Sequence, residues 1–164
     1  MIILGIDPGT RVTGYGVIRA DGPSLTVLDF GCIRPSPQME LPQRYLAIFE
    51  AVDHLIELYQ PEALSVETQF VQKNVQSAMK LGMARGAVLL AAARRKVAIF
   101  EYAPGKAKRA VVGNGQASKE QVQRMVQMLL KLPSLPEPED AADALALAIC
   151  HANRSCKRLY EPIS

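Results

Sequence analysis

The chain has no tryptophan, and aromatic residues make up only 5% of its 164 positions. Alanine, leucine, valine and isoleucine must therefore fill the core, as in folds that alternate strands and helices. Cysteine is scarce. Cys32, Cys150 and Cys156 are odd in number and share no metal-ligand spacing, so they read as reduced thiols. No apolar run reaches the roughly 18 residues that a membrane-spanning helix needs. The N-terminus lacks the basic lead-in of a signal peptide. A cytoplasmic protein with no membrane partner is the expectation. Net charge is also low, at a formal +3. That is too little to establish a nucleic-acid partner unless the charge is locally clustered. Neither a repeat nor an interdomain linker is visible. One domain over residues 1–153, followed by a flexible polar tail over 154–164, is expected.

The start of the chain is its most informative stretch. Met1-Ile2-Ile3-Leu4-Gly5-Ile6 is almost wholly apolar and runs into Asp7-Pro8-Gly9-Thr10. The pattern predicts a buried central strand with Asp7 at its last position, rigidly held and still reaching solvent. Two more strands are expected over Val12–Arg19 and Ser24–Arg34, joined by the turn signal Asp21-Gly22-Pro23. Together they make an antiparallel meander. Gly14 and Gly16 face the same side of the second strand. That bare side serves either close approach by another molecule or packing against a helix.

Beyond the Pro35–Pro42 loop, Leu46, Phe49, Val52, Leu55, Ile56 and Tyr59 mark one face of a helix that Pro61 stops. Ala63-Leu64-Ser65-Val66-Glu67 is a second apolar strand ending on an acid. A helix follows over about Asn74–Lys96, with Ala78, Gly82 and Gly86 recurring every four residues as a smooth strip. That strip suits either two-fold pairing with a second copy or packing on the chain's own sheet. A short strand, Val97–Glu101, and a basic helix, Gly105–Val112, come next. Ser118-Lys119-Glu120-Gln121 is a capping box that opens a helix to about Leu132. The last helix runs from Asp140 to about Asn153. The order βββαβαβααα predicts an α/β fold: a mixed five-stranded sheet, antiparallel meander plus parallel strands, flanked by helices.

Four acids stand out. Asp7 and Glu67 both end apolar strands. Neighbouring parallel strands would bring them to one sheet edge, where open α/β sheets place their ligand sites. Asp140 and Asp143 are three apart and share a helical face. Asp140 alone would pass for a helix-start acid. Asp143 interrupts a run of small and apolar residues, and a buried carboxylate there needs a basic partner or a cation. Four carboxylates suit Mg²⁺ or Mn²⁺ rather than zinc. Two such ions roughly 3.5–4 Å apart can promote phosphodiester hydrolysis.

Gly5-Ile6-Asp7-Pro8-Gly9, Gly14-Tyr15-Gly16, Val66-Glu67 with Phe70 and Lys73-Asn74, and Asp140-Ala141-Ala142-Asp143-Ala144 occur in that order. The set resembles the RuvC family of Holliday junction resolvases. Gly82-Met83-Ala84-Arg85-Gly86 and Val111-Val112-Gly113 with Lys119 also fit. The resemblance implies a ribonuclease H-like fold, a homodimer and Mg²⁺-dependent cleavage of four-way DNA junctions by paired symmetric nicks. It implies two ions per site, with Mn²⁺ able to substitute, and 5′-phosphate and 3′-hydroxyl products. It puts the catalytic and metal-ligating acids at Asp7, Glu67, Asp140 and Asp143. Asp7 would bridge both ions, with Glu67 and Asp143 on one each. Some members carry His at the position matching Asp140. DNA contacts fall on Phe70, Lys73, Asn74, Lys108 and Lys119. Phe70 would stack on unpaired bases, with a core phenylalanine as the competing reading, since phenylalanines are usually buried. A RuvA–RuvB branch-migration motor is a further implied partner.

Two other classes compete. A related ribonuclease H-like nuclease could act on another structured nucleic acid. An actin-like ATPase also begins with a strand ending in an acid, Gly and Thr. It needs two such domains, and 164 residues leave room for one.

Overall fold

The computed structural model describes residues 1–68 and 74–160. Phe70 and Lys73 lie outside the described residues. Five strands, β1 (Ile2–Asp7), β2 (Thr13–Asp21), β3 (Ser24–Ile33), β4 (Ala63–Glu67) and β5 (Ala98–Tyr102), form one sheet in the order β3-β2-β1-β4-β5. β1, β2 and β3 pair antiparallel, while β4 runs parallel to both β1 and β5. These directions match the ribonuclease H-like arrangement expected above.

Side chains alternate across a strand, so β1 feeds two cores. Leu4 and Ile6 pack with Leu64 and Val66 against α1 (Leu41–Tyr59) and α2 (Val75–Arg94). Ile3 joins Ile18 in the opposite core, beneath α4 (Lys119–Leu130) and α5 (Glu139–Tyr160). α3 (Pro104–Val112) lies beside α5 on that same side, through Ala107 and Val111. Among the described residues no helix is long and apolar enough to cross a membrane.

The helix ends follow local chemistry. Gln60 takes a left-handed conformation (φ 48°) just before Pro61 and closes α1. Gly113, at φ 85°, does the same for α3. The capping box at Ser118 forms: its hydroxyl accepts from the Gln121 amide, and the Gln121 side chain accepts from the Ser118 amide.

α5 is the central helix. Apart from Asp143, residues 141–149 are at most 2% exposed. A helix buried on all sides needs small residues where its neighbours come close. It also extends beyond the expected end near Asn153, to Tyr160. Glycines receive it. A Cβ at Gly5 would overlap the Ala144 carbonyl, one at Gly14 the Asp140 carbonyl, and one at Gly16 the Leu145 side chain. The bare side of β2 therefore serves helix packing.

The expected α1 face is corrected, and the side of α2 that meets the sheet is decided. Leu46 is exposed, and Ile48 takes the core position on α1. On α2, Ala84, Ala87, Val88, Ala91 and Ala92 meet the sheet. Val75, Met79, Met83 and Leu90 are instead exposed, and open space lies over Gly86. α2 is apolar nearly all round, so spacing could not tell which side the sheet would cover.

The close seat of α5 has a measurable consequence. Gly14→Ala should destabilise the chain by about 1–3 kcal/mol, as overpacking does. The urea midpoint reads this directly, and an unchanged midpoint would contradict the seating argument.

Candidate active site

The site forms where β1 and β4 end. Ile6 pairs with Val66, so the next step along both parallel strands sets Asp7 beside Glu67. Alternation turns both acids to the α5 side. Gly5, two residues before Asp7, lies under Ala144. Ser65, two before Glu67, donates its hydroxyl to the Leu147 carbonyl at 2.8 Å. α5 enters from Pro138, whose carbonyl accepts from the Ala141 amide at 2.9 Å. Its first turns carry Asp140 over Gly14 and Asp143 one turn on.

The four acids share one electrostatic field. Burial, then the charges of Glu67, Asp143 and Asp140, push the Asp7 carboxyl from its ordinary 3.8 up to about 8, against Lys119. Burial and then Asp143 raise Glu67, opposed by Lys108 and Lys119. Burial is also first among the causes that raise Asp143. Lys119 and Lys108 oppose it, and Asp140 and Glu139 add to it. Each raised carboxyl reflects burial first, with the neighbouring acids adding to it and the lysines opposing it.

The donor set is wholly oxygen, which fits a hard divalent cation. Among the described residues no three or more acidic, histidine or cysteine side chains are already drawn together as a formed ligand set. The fit therefore rests on donor chemistry and on the shared field.

Both expected lysines face the acids. The charge of Lys108 acts on Glu67 and Asp143 from α3, which packs along α5, and that of Lys119 from the first residue of α4. Lys119 Nζ also pairs with Glu139 at 3.2 Å. That hydrogen bond first, and then the charges of Asp143, Glu139 and Asp140, hold its ammonium above the usual range. Asn74 has a structural role, since its Oδ1 accepts from the Ser77 amide at 3.1 Å and caps α2.

Three further residues neighbour the site, none of them marked for it by the sequence pattern. Cys32 lies across from Gly14 on β3, with its thiol pushed up by burial and then by the charge of Asp140. Glu139 partners Lys119. Arg85, on α2, donates Nε–H to the Glu67 carbonyl at 3.2 Å. Only Arg85 stood in a quoted motif, and helical spacing says nothing about what an arginine reaches across the fold.

A family model described as "Crossover junction endodeoxyribonuclease RuvC" matches residues 3–151. The chain is 62% identical over 152 residues to the protein of that name from Protochlamydia amoebophila, covering 93% of this chain and 90% of that one. Its fold superposes on the Thermus thermophilus RuvC structure with a TM-score of 0.88 and 36% identity, over 99% of this chain and 100% of that one. It also superposes on T. thermophilus RuvC in complex with Holliday junction substrate, with a TM-score of 0.87 and 35% identity, over 98% and 97%.

The raised Asp7 carboxyl makes stability depend on pH in a known direction. Stability is intact below the ordinary carboxylate pKa and is lost as pH rises through about 8. With chelator present, Asp7→Asn should melt above the native chain at pH 9. A gap of at least about 1 kcal/mol, or about 2–4 °C at this size, is expected. The gap should open from about pH 4. A native chain that melts higher than Asp7→Asn at pH 9 would overturn this reading of the field.

Proposed function

The chain belongs to the RuvC family of crossover junction endodeoxyribonucleases, and from that we propose that it resolves four-way DNA junctions by paired nicks in opposing strands. The observation that carries this is the electrostatic coupling of Asp7, Glu67, Asp140 and Asp143 at one sheet edge, opposed by the charges of Lys108 and Lys119. In support, a relative of the same fold is described in complex with Holliday junction substrate.

Asp7, Glu67, Asp140 and Asp143 would hold two Mg²⁺ ions. When bound, such ions lower the pKa of attacking water and stabilise the leaving oxygen in phosphodiester hydrolysis. The chain's own residues do the rest. β1, hydrogen-bonded on both sides, fixes Asp7 against movement. α5 delivers Asp140 and Asp143 on a helix that cannot shift without clashing with the glycine seat. Lys108 and Lys119 supply fixed positive charge for phosphate oxygens near the scissile bond. Lys119 opens a capped helix, which is itself favourable for anions. Phe70, three residues past Glu67, would stack on bases unpaired at the junction centre. Lys73 and Asn74 would contact the backbone beside it. Hydrolysis leaves 5′-phosphate and 3′-hydroxyl ends.

Paired nicks call for two sites, and we assign the pairing to α2. Val75, Met79, Met83 and Leu90 make an exposed apolar stripe at helical spacing, with Gly82 and Gly86 beside it. A two-fold axis against this stripe would bury it and double the formal +3 of one chain. The family relationship further supports a branch-migration motor, RuvA–RuvB, as a partner.

A synthetic four-way junction with Mg²⁺ tests the activity. The native chain should cut it in pairs and leave a linear duplex of the same sequence largely intact. Asp7→Asn should bind the junction and cut it at least about 10³-fold more slowly, as expected when a metal-ligating group is lost. Normal cutting by Asp7→Asn would end the metal reading, and equal cutting of the duplex would end the junction reading. For the dimer, Met79→Glu with Met83→Glu should give a monomer in sedimentation, folded by circular dichroism. A dimer surviving that change would place the pairing surface elsewhere.

A further inference from the structure

Arg85 sits on the sheet side of α2, with only 18% of its side chain exposed. Its guanidinium makes two contacts in different directions. Nε–H donates to the backbone carbonyl of Glu67 at 3.2 Å. Nη2 pairs with Glu101 Oε2 of β5 at 2.8 Å. Glu101 stands across from Val66, so the guanidinium spans the ends of β4 and β5. Glu67 is the last residue of β4. Just beyond it, the Thr68 amide bonds to the Tyr102 carbonyl, which completes the β4–β5 pairing. A planar guanidinium with fixed donors is suited to hold two acceptors in set directions, which an ammonium cannot do.

We propose that Arg85 is a positioning residue for cleavage: it ties the Glu67 end of β4 to α2 and so sets where the Glu67 carboxylate stands relative to Asp7. The inference rests on the nuclease reading above and deepens it, because it names what aligns one of the proposed ligands. It also gives α2 two roles. One side would carry the pairing stripe, and the other grips the strand end that supplies Glu67. A displacement of about 1 Å at a reacting group can cost about 10²-fold in rate. Loss of the grip should therefore appear in the rate and in the metal requirement, and not in junction affinity.

The test uses the full chain and a synthetic four-way junction, with enzyme in saturating excess over a range of Mg²⁺ concentrations. Arg85→Ala should cleave about 10²-fold more slowly than the native chain at low millimolar Mg²⁺. Its junction Kd should stay within about 3-fold and its dimer should remain intact. Raising Mg²⁺ should recover part of the lost rate. Arg85→Lys, which keeps the charge and loses the fork, should fall between, at about 10-fold slower. Glu101→Gln, which keeps an acceptor for Nη2, should stay within about 3-fold. If Arg85→Ala does not fold, Arg85→Lys carries the test alone. Should every folded Arg85 variant cleave within 2-fold of native at all Mg²⁺ concentrations, Arg85 has no positioning role, whatever its effect on Tm. Failure of the native chain itself to cut junctions would instead overturn the nuclease reading.

Discussion

The close seat of α5 on the face of β1 and β2 is the constraint on which the rest depends. Gly5, Gly14 and Gly16 leave no side chain between strand and helix, and Ala144, Ala148 and the Asp140 backbone fill that space. A single Cβ at any of these glycines meets backbone or a buried leucine, neither of which can swing aside. The same seat fixes the helix along its length, through the Ser65 hydroxyl on Leu147 and the cluster formed by Ile3, Ile18, Leu145 and Ile149. Asp140 and Asp143 ride on the first turns of that helix, so their distance from the strand ends is set by core packing. This is the kind of rigid support that a catalytic constellation needs.

That rigidity has an electrostatic cost, most visible at Asp7. Its carboxyl is pushed to about 8 by burial and by its acidic neighbours. A fold selected for stability alone would avoid that arrangement, and strongly perturbed carboxyls tend to cluster at functional sites. Lys108 and Lys119 oppose the field without cancelling it. In the reading proposed here, divalent cations held by these carboxylates would offset that cost.

α2 links the two scales of the proposed mechanism. Its sheet side is built of alanine and valine, with Arg85 gripping the Glu67 carbonyl. Its other side is left apolar and exposed, with methionines that adapt to a partner surface. Arg95 adds a fork onto Asp53 that fastens α2 to α1. A pairing helix anchored in this way would hold two sites in a fixed relation, as symmetric nicking requires.

Much of this was legible in the chain's order of residues. The apolar run ending at Asp7, the strand ending at Glu67, the capping box at Ser118 and the lone acid within an alanine helix each follow from local pattern. Strand and helix periods depend on near neighbours, which a sequence displays directly. The ordered motifs added the family. What they left open was set by contacts between distant residues. Whether Gly14 and Gly16 faced a ligand or a helix was settled by α5. Which side of α2 met the sheet could not be read from a helix apolar nearly all round, and on α1 the core took Ile48 while Leu46 stayed exposed. The pairing of Lys119 with Glu139, the cap made by Asn74 and the reach of Arg85 to Glu67 are each set by the fold. Sequence determines which groups are present and how they repeat. Only the folded chain decides which of them meet, because burial and hydrogen bonding act through space rather than along the backbone.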